Sequence, residues 1–167
     1  MRELCNTPAK MEEFRRRYEI PDSIGLELSD IGDVHQATWE TIHMPVVDIV
    51  EGGVRFPLHP LLRETLAYYR LCPRQVSPNM IRIIMGVVEL NRLLGTSLGV
   101  WDIQFCYSAC RAPSGTFYLK CRKDFMKLVT DLPDSARGED LDFFKVTGPY
   151  EDDRSHAHCP HVPGYLR

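Results

Sequence analysis

The stretch Ser77-Pro78-Asn79-Met80-Ile81-Arg82-Ile83-Ile84-Met85-Gly86-Val87-Val88-Glu89-Leu90-Asn91-Arg92-Leu93-Leu94-Gly95 decides the fold. A serine followed by proline opens a helix, because the hydroxyl can accept an orphan N–H and proline suits the first helical position. Gly95 stops it. Between them the polar side chains and the glycine (Arg82, Gly86, Glu89 and Arg92) lie near one narrow stripe, and Ile83, Ile84, Val87, Val88 and Leu94 cover much of the rest. A helix apolar over most of its circumference sits in the middle of a fold. The pattern predicts a central helix over about residues 77–94.

Working upstream, Cys72-Pro73 closes a helix that Pro60 opens and that runs to about Leu71, with Leu62, Leu66 and Tyr69 as its inward stripe. The prolines at 57 and 60 exclude regular helix from 54–60. Val46 to Glu51 reads as one or two helical turns stopped by Gly52-Gly53. Residues 22–45 read as loop with short extended pieces. Thr7-Pro8 opens a first helix carrying Met11, Phe14 and Tyr18 on one face, and Pro21 ends it. Downstream, Val100 to Cys110 reads as helix, Ala112 to Gly115 as a turn, and Thr116 to Cys121 as a strand. Asp124 to Thr130 fits a strand or a short helix. Leu141 to Thr147 reads as a second strand, expected to pair with 116–121. The expected fold is α+β and mostly α: four to five helices around the central buried helix, with a small antiparallel sheet from the C-terminal third. Residues 1–150 would form one helix-rich domain and 151–167 a disordered acidic, His- and Pro-rich tail.

A chain of 167 residues suits one domain with its own core. A net charge of −3 gives it no general attraction to nucleic acid or to an anionic membrane. No apolar run resembles a signal peptide or a membrane span. Six cysteines without a secretory signal read as reduced thiols, which points to an intracellular setting, nucleus or cytoplasm. No Cys-x-x-Cys pair supports a zinc ribbon.

The segment Gly53-Val54-Arg55-Phe56-Pro57-Leu58-His59-Pro60-Leu61-Leu62-Arg63-Glu64 is distinctive, and Tyr69, Pro73, Gln75, Ser77-Pro78-Asn79, Arg82 and Gly86 follow it in order. Together they resemble the plant transposon domain family, also called the gypsy-type transposase family. Phe14 to Pro21, Phe117-Tyr118-Leu119, Lys127-Leu128-Val129 and Phe143-Phe144-x-Val146-x-Gly148 extend the likeness over roughly residues 11 to 153. Ile81 stands where the family usually has Trp, and Val87 where it usually has Phe; both keep an apolar side chain. The resemblance implies a retrotransposon-derived protein of a plant genome. It brings no established active site, so no functional residue is carried over from it.

Each candidate site has a plainer role. Tyr150-Glu151-Asp152-Asp153 matches a polymerase-type Tyr-x-Asp-Asp, but that chemistry needs a hairpin between apolar strands, and none follows here. Glu89, Asp102, Asp124 and Asp131 suit caps, turns and solvated faces better than a metal-dependent strand-transfer site. His156, His158, Cys159 and His161 offer metal-ligating atoms, yet four ligands within six residues rarely reach tetrahedral geometry. Cys106 and Cys110 would share a helix face as buried thiols. Arg15-Arg16-Arg17 is the strongest basic patch, diluted by Glu12, Glu13 and Glu19. His59 reads as a capping or packed histidine. The expectation is a non-catalytic, capsid-precursor-like or accessory domain, without cofactor, whose partner is protein and includes a second copy. The alternatives are a nucleic-acid-binding transposase fragment using Arg15, Arg16 and Arg17, and a residual metal-dependent DNA-processing enzyme.

Overall fold

Among the described residues, five helices and five short strands follow in the order α1 (Pro8–Arg17), β1 (Gly25–Ser29), β2 (Ile42–Pro45), α2 (Val46–Val50), α3 (Pro60–Tyr69), α4 (Pro78–Leu94), α5 (Val100–Cys106), β3 (Tyr107–Arg111), β4 (Phe117–Cys121) and β5 (Phe143–Thr147). The structure is a computed structural model and describes residues 1–29, 41–133 and 142–151. The fold is α+β with helices leading, as the sequence predicts.

Helix starts follow local chemistry. Thr7 accepts the Lys10 N–H, and Ser77 accepts the Met80 N–H, each with proline next in the chain. His59 caps α3: its Nδ1 accepts the Leu61 N–H at 3.2 Å. α3 ends at Arg70 in the left-handed region, and α4 ends at Gly95, also left-handed.

α4 is central over its first turns only. Met80, Ile81, Ile83, Ile84 and Val87 are buried, whereas Leu93 and Leu94 are largely exposed. The last turns run out past the core, so Leu94 does not continue the inward face that its spacing suggests. Gly86 marks the side where residues 127–132 lie across α4, because a Cβ there would sit 2.6 Å from a Val129 methyl. That strap is neither strand nor helix, which resolves the Asp124–Thr130 ambiguity against both readings.

The described residues form two small sheets. One has the order β1-β5-β2, all antiparallel, with Leu28 opposite Phe144 and Met44 opposite Phe144 across the two ladders. The other is the hairpin β3-β4, with Tyr107 opposite Cys121. Two sequence expectations are corrected here. The closing strand β5 pairs with β1 and β2 from the N-terminal part, not with residues 116–121. The helix from Val100 stops at Cys106, and 107–111 is strand. The Ala112–Gly115 turn, closed by Gly115 N–H to Ala112 O at 2.9 Å, folds 107–111 back on 117–121. Pairing then outweighs the helical spacing.

One apolar core runs from Cys5 to Tyr150. Phe14 of α1 packs on Phe144 of β5 with ring centroids 5.3 Å apart, and the N-terminal amine lies 3.4 Å from Asp142. Tyr150 and Glu151 are also buried, and the Tyr150 carbonyl accepts the Leu58 N–H at 2.7 Å. The chain therefore stays packed through Glu151, where the sequence suggests that a tail begins. The rest of that segment, 152–167, lies outside the described residues.

Candidate functional site

The Gly53–Pro60 segment is built into the core. Gly52 sits where a Cβ would meet Asp48 backbone and an Ile81 methyl, so α2 turns directly against α4. Val54, Phe56 and Leu58 point inward and are buried. Arg55 donates to the carbonyls of Ile49 and Val54 at 3.1 and 2.8 Å and lies over the Tyr18 ring. The Phe56-Pro57 peptide is cis. With His59 capping α3, the side chains at 54, 55, 56, 58 and 59 all hold structure together.

Beside this segment lies Asp48, fully buried in α2. Neither carboxylate oxygen has a hydrogen-bond partner among the described residues. Burial pushes its pKa well up, against a smaller downward pull from the Arg82 guanidinium. Arg82 itself pairs with Glu51 and donates to Asn79 Oδ1 at 2.7 Å.

The other sequence candidates are dispersed. Arg15 donates to the Pro21 carbonyl at 2.6 Å, Arg17 lies over the Tyr18 ring at 5.7 Å, and Arg16 is exposed. The three arginines thus do not form a single presented cluster. Glu89 pairs with Arg92, and Asp102 accepts the Gly99 N–H at 2.8 Å as a helix cap. Asp124 and Asp131 occupy left-handed turn positions, φ 70° and 55°. Among the described residues, no three His, Cys, Asp or Glu side chains gather where a metal ion could be held. Cys106 ends α5 and Cys110 lies in β3, so they share no helix face; both are half-buried, with Cys5 and Cys72 buried. His156, His158, Cys159 and His161, with Asp152 and Asp153, lie outside the described residues. No helix of the described residues is long and apolar enough to cross a membrane.

What the fold does present is an aromatic face that the sequence reading missed. Val100 and Ile103 of α5 and the following Tyr107 face the core, which turns Trp101 and Phe105, four residues apart, outward. Trp101 is 71% exposed, Phe105 67% and Met126 85%. Tyr68 of α3 meets Trp101 edge-on at 5.4 Å, and Phe125 meets Phe105 edge-on at 4.8 Å. Tyr68–Trp101 and Phe105–Phe125 are thus two edge-on pairs on successive turns of α5, one reaching α3 and the other the turn after β4. The signal was available: a Trp and a Phe at i, i+4 opposite an apolar stripe mean a helix apolar on two sides.

No curated protein and no solved structure matches the chain. Residues 44–110, from Met44 in β2 to Cys110 in β3, match the family model described as "Putative gypsy type transposon", the same gypsy-type transposon family that the Gly53–Glu64 segment resembles.

Proposed function

We propose that this chain is a non-catalytic interaction domain of a retrotransposon-derived protein, and that it associates with a second copy through the Trp101–Phe105 face. The observation that carries the reading is the aromatic face on α5, α3 and the turn after β4. Monomeric proteins rarely leave so large an apolar patch in water. At ~200 Å² for a large side chain, Tyr68, Trp101, Phe105, Phe125 and Met126 expose roughly 600 Å². Two copies would bury about 1,200 Å², the lower end of stable protein interfaces.

A two-fold pair is isologous, with the same face on both copies, so one exposed aromatic face suffices for it. The Arg55–Pro60 segment supports the non-catalytic part of the reading, since its side chains serve packing and capping.

Size-exclusion chromatography with light scattering tests it. The expected result is a concentration-dependent dimer that the pair Trp101→Ser and Phe105→Ser returns to monomer with an unchanged circular dichroism spectrum. A wild-type chain that stays monomeric at high micromolar concentration removes the proposal.

A further inference from the structure

A second surface lies on the other side of the hairpin, and its chemistry points to a different ligand. Between β4 and the strap 127–132 runs an open groove of about 450 Å³. Residues 118–121 line one wall, and Lys127 with residues 129–132 lines the other. Ile83 and Tyr107 lie at the bottom. Four consecutive residues of a strand reach one groove only along the strand's edge, since alternate side chains leave opposite faces.

Phe117 at one end of that edge bridges Val76 in parallel; beyond it the edge carries unpaired backbone groups among the described residues. Arg122 N–H bonds to Cys106 O at 2.9 Å and Ala112 N–H to Thr116 O at 2.8 Å, so the even-numbered residues of this arm point at β3. Phe117 O points the other way, accepting Ser77 N–H at 2.7 Å. The alternation therefore turns the N–H and C=O of Leu119 and Cys121 away from β3, into the groove. The strap opposite is anchored at both ends: Leu128 and Val129 donate to the Tyr107 hydroxyl, and Asn79 donates to the Pro133 carbonyl at 2.9 Å. It runs back from the Cys121 end of β4 toward the Phe117 end. The groove is thus a slot between a strand edge and a bent segment held by hydrogen bonds, in which Asp131 is left-handed, with Ile83 and Tyr107 as its buried floor. Lys120 on one wall and Lys127 on the other are both exposed and give the rim positive charge. Asp131 is the acidic member of the lining.

We propose that this groove binds an extended peptide segment that alternates carboxylate and apolar side chains. The segment adds as a strand to the outer edge of β4. Its backbone pairs with Leu119 and Cys121, alternate apolar side chains turn toward Ile83 and Tyr107, and the carboxylates meet Lys120 and Lys127. Edge addition supplies affinity through main-chain bonds, and the lysines supply the preference for acidic partners.

The test uses two fluorescein-labelled peptides, Val-Glu-Val-Glu-Val and Val-Lys-Val-Lys-Val, titrated by fluorescence anisotropy. The protein is the Trp101→Ser, Phe105→Ser variant, so that self-association does not contribute. The acidic peptide binds at least about tenfold tighter than the basic one. In the Lys120→Glu, Lys127→Glu background the preference reverses. Amide exchange read by NMR slows at Leu119 and Cys121 when the acidic peptide is added. Absence of binding, equal binding of both peptides, or protection elsewhere than β4 overturns the proposal. None of these outcomes bears on the aromatic face, which the variant lacks.

Discussion

A carboxyl group shut away from water without a hydrogen bond holds its proton to higher pH, and Asp48 is in that position. Its folded pKa lies well above its ordinary 3.8, because burial disfavours the anion. The unfolded chain releases that proton near pH 4, while the folded chain holds it to higher pH. The folded state therefore binds more protons across that window, and stability falls as the pH rises through it. Replacing Asp48 by Asn should remove that decline, so the variant gains on the wild type as the pH rises from 4 to 7. Urea unfolding at the two pH values reads this directly; an equal effect at both would remove the ionisation argument. His59 runs the opposite way. Burial lowers its pKa from 6.5, so the neutral ring that caps α3 is favoured in the fold. Stability from this cap is full above pH 6.5 and declines as pH falls and the ring takes up a proton. His59→Asn should keep the cap and flatten that decline, whereas His59→Ala should cost about 1 kcal/mol at neutral pH in thermal melts.

At the scale of elements, Gly86 and Val129 couple α4 to the strap. An alanine in mid-helix gains roughly 1 kcal/mol in propensity over glycine, but here its methyl would meet a stiff β-branched side chain at 2.6 Å. Gly86→Ala should destabilise the wild type and stabilise the Val129→Ala variant. A double-mutant cycle of unfolding free energies checks this, and additive effects would show that the contact does not hold. The elements also explain what could be read from the sequence. Starts of α1, α3 and α4 were legible because capping is local: Thr7-Pro8, His59-Pro60 and Ser77-Pro78 carry it within a few residues. β3 was lost because Val100 to Cys110 has helical spacing, and only the hairpin partner turns its second half into strand. The turn at 112–115 held the clue, since a turn before one strand asks for another arm. β5 reads as a strand, but its partners lie about a hundred residues or more upstream, and period-two spacing says nothing about which strand it meets. The groove along β4 is invisible in the sequence for the same reason, and the aromatic face shows only once α5 is recognised as apolar on two sides.

Across the whole molecule, β5 joins the two ends of the chain. Phe144 lies between β1 and β2 in the sheet and against Phe14 of α1, with no exposed surface. Phe144→Ala should cost about 3–5 kcal/mol, a large part of what a domain this size has in total. Calorimetry measures it; a loss below about 1 kcal/mol would mean that the sheet is peripheral to the core. The same feature bears on how the protein can be studied. The family match stops at Cys110, thirty-odd residues before the strand that seals the hydrophobic interior. A bait trimmed to 44–110 for an interaction screen would lack both β1 and β5, leave Met44 and its neighbours wet, and capture chaperones and other unfolded-chain binders. A span worth expressing keeps both β1 and β5.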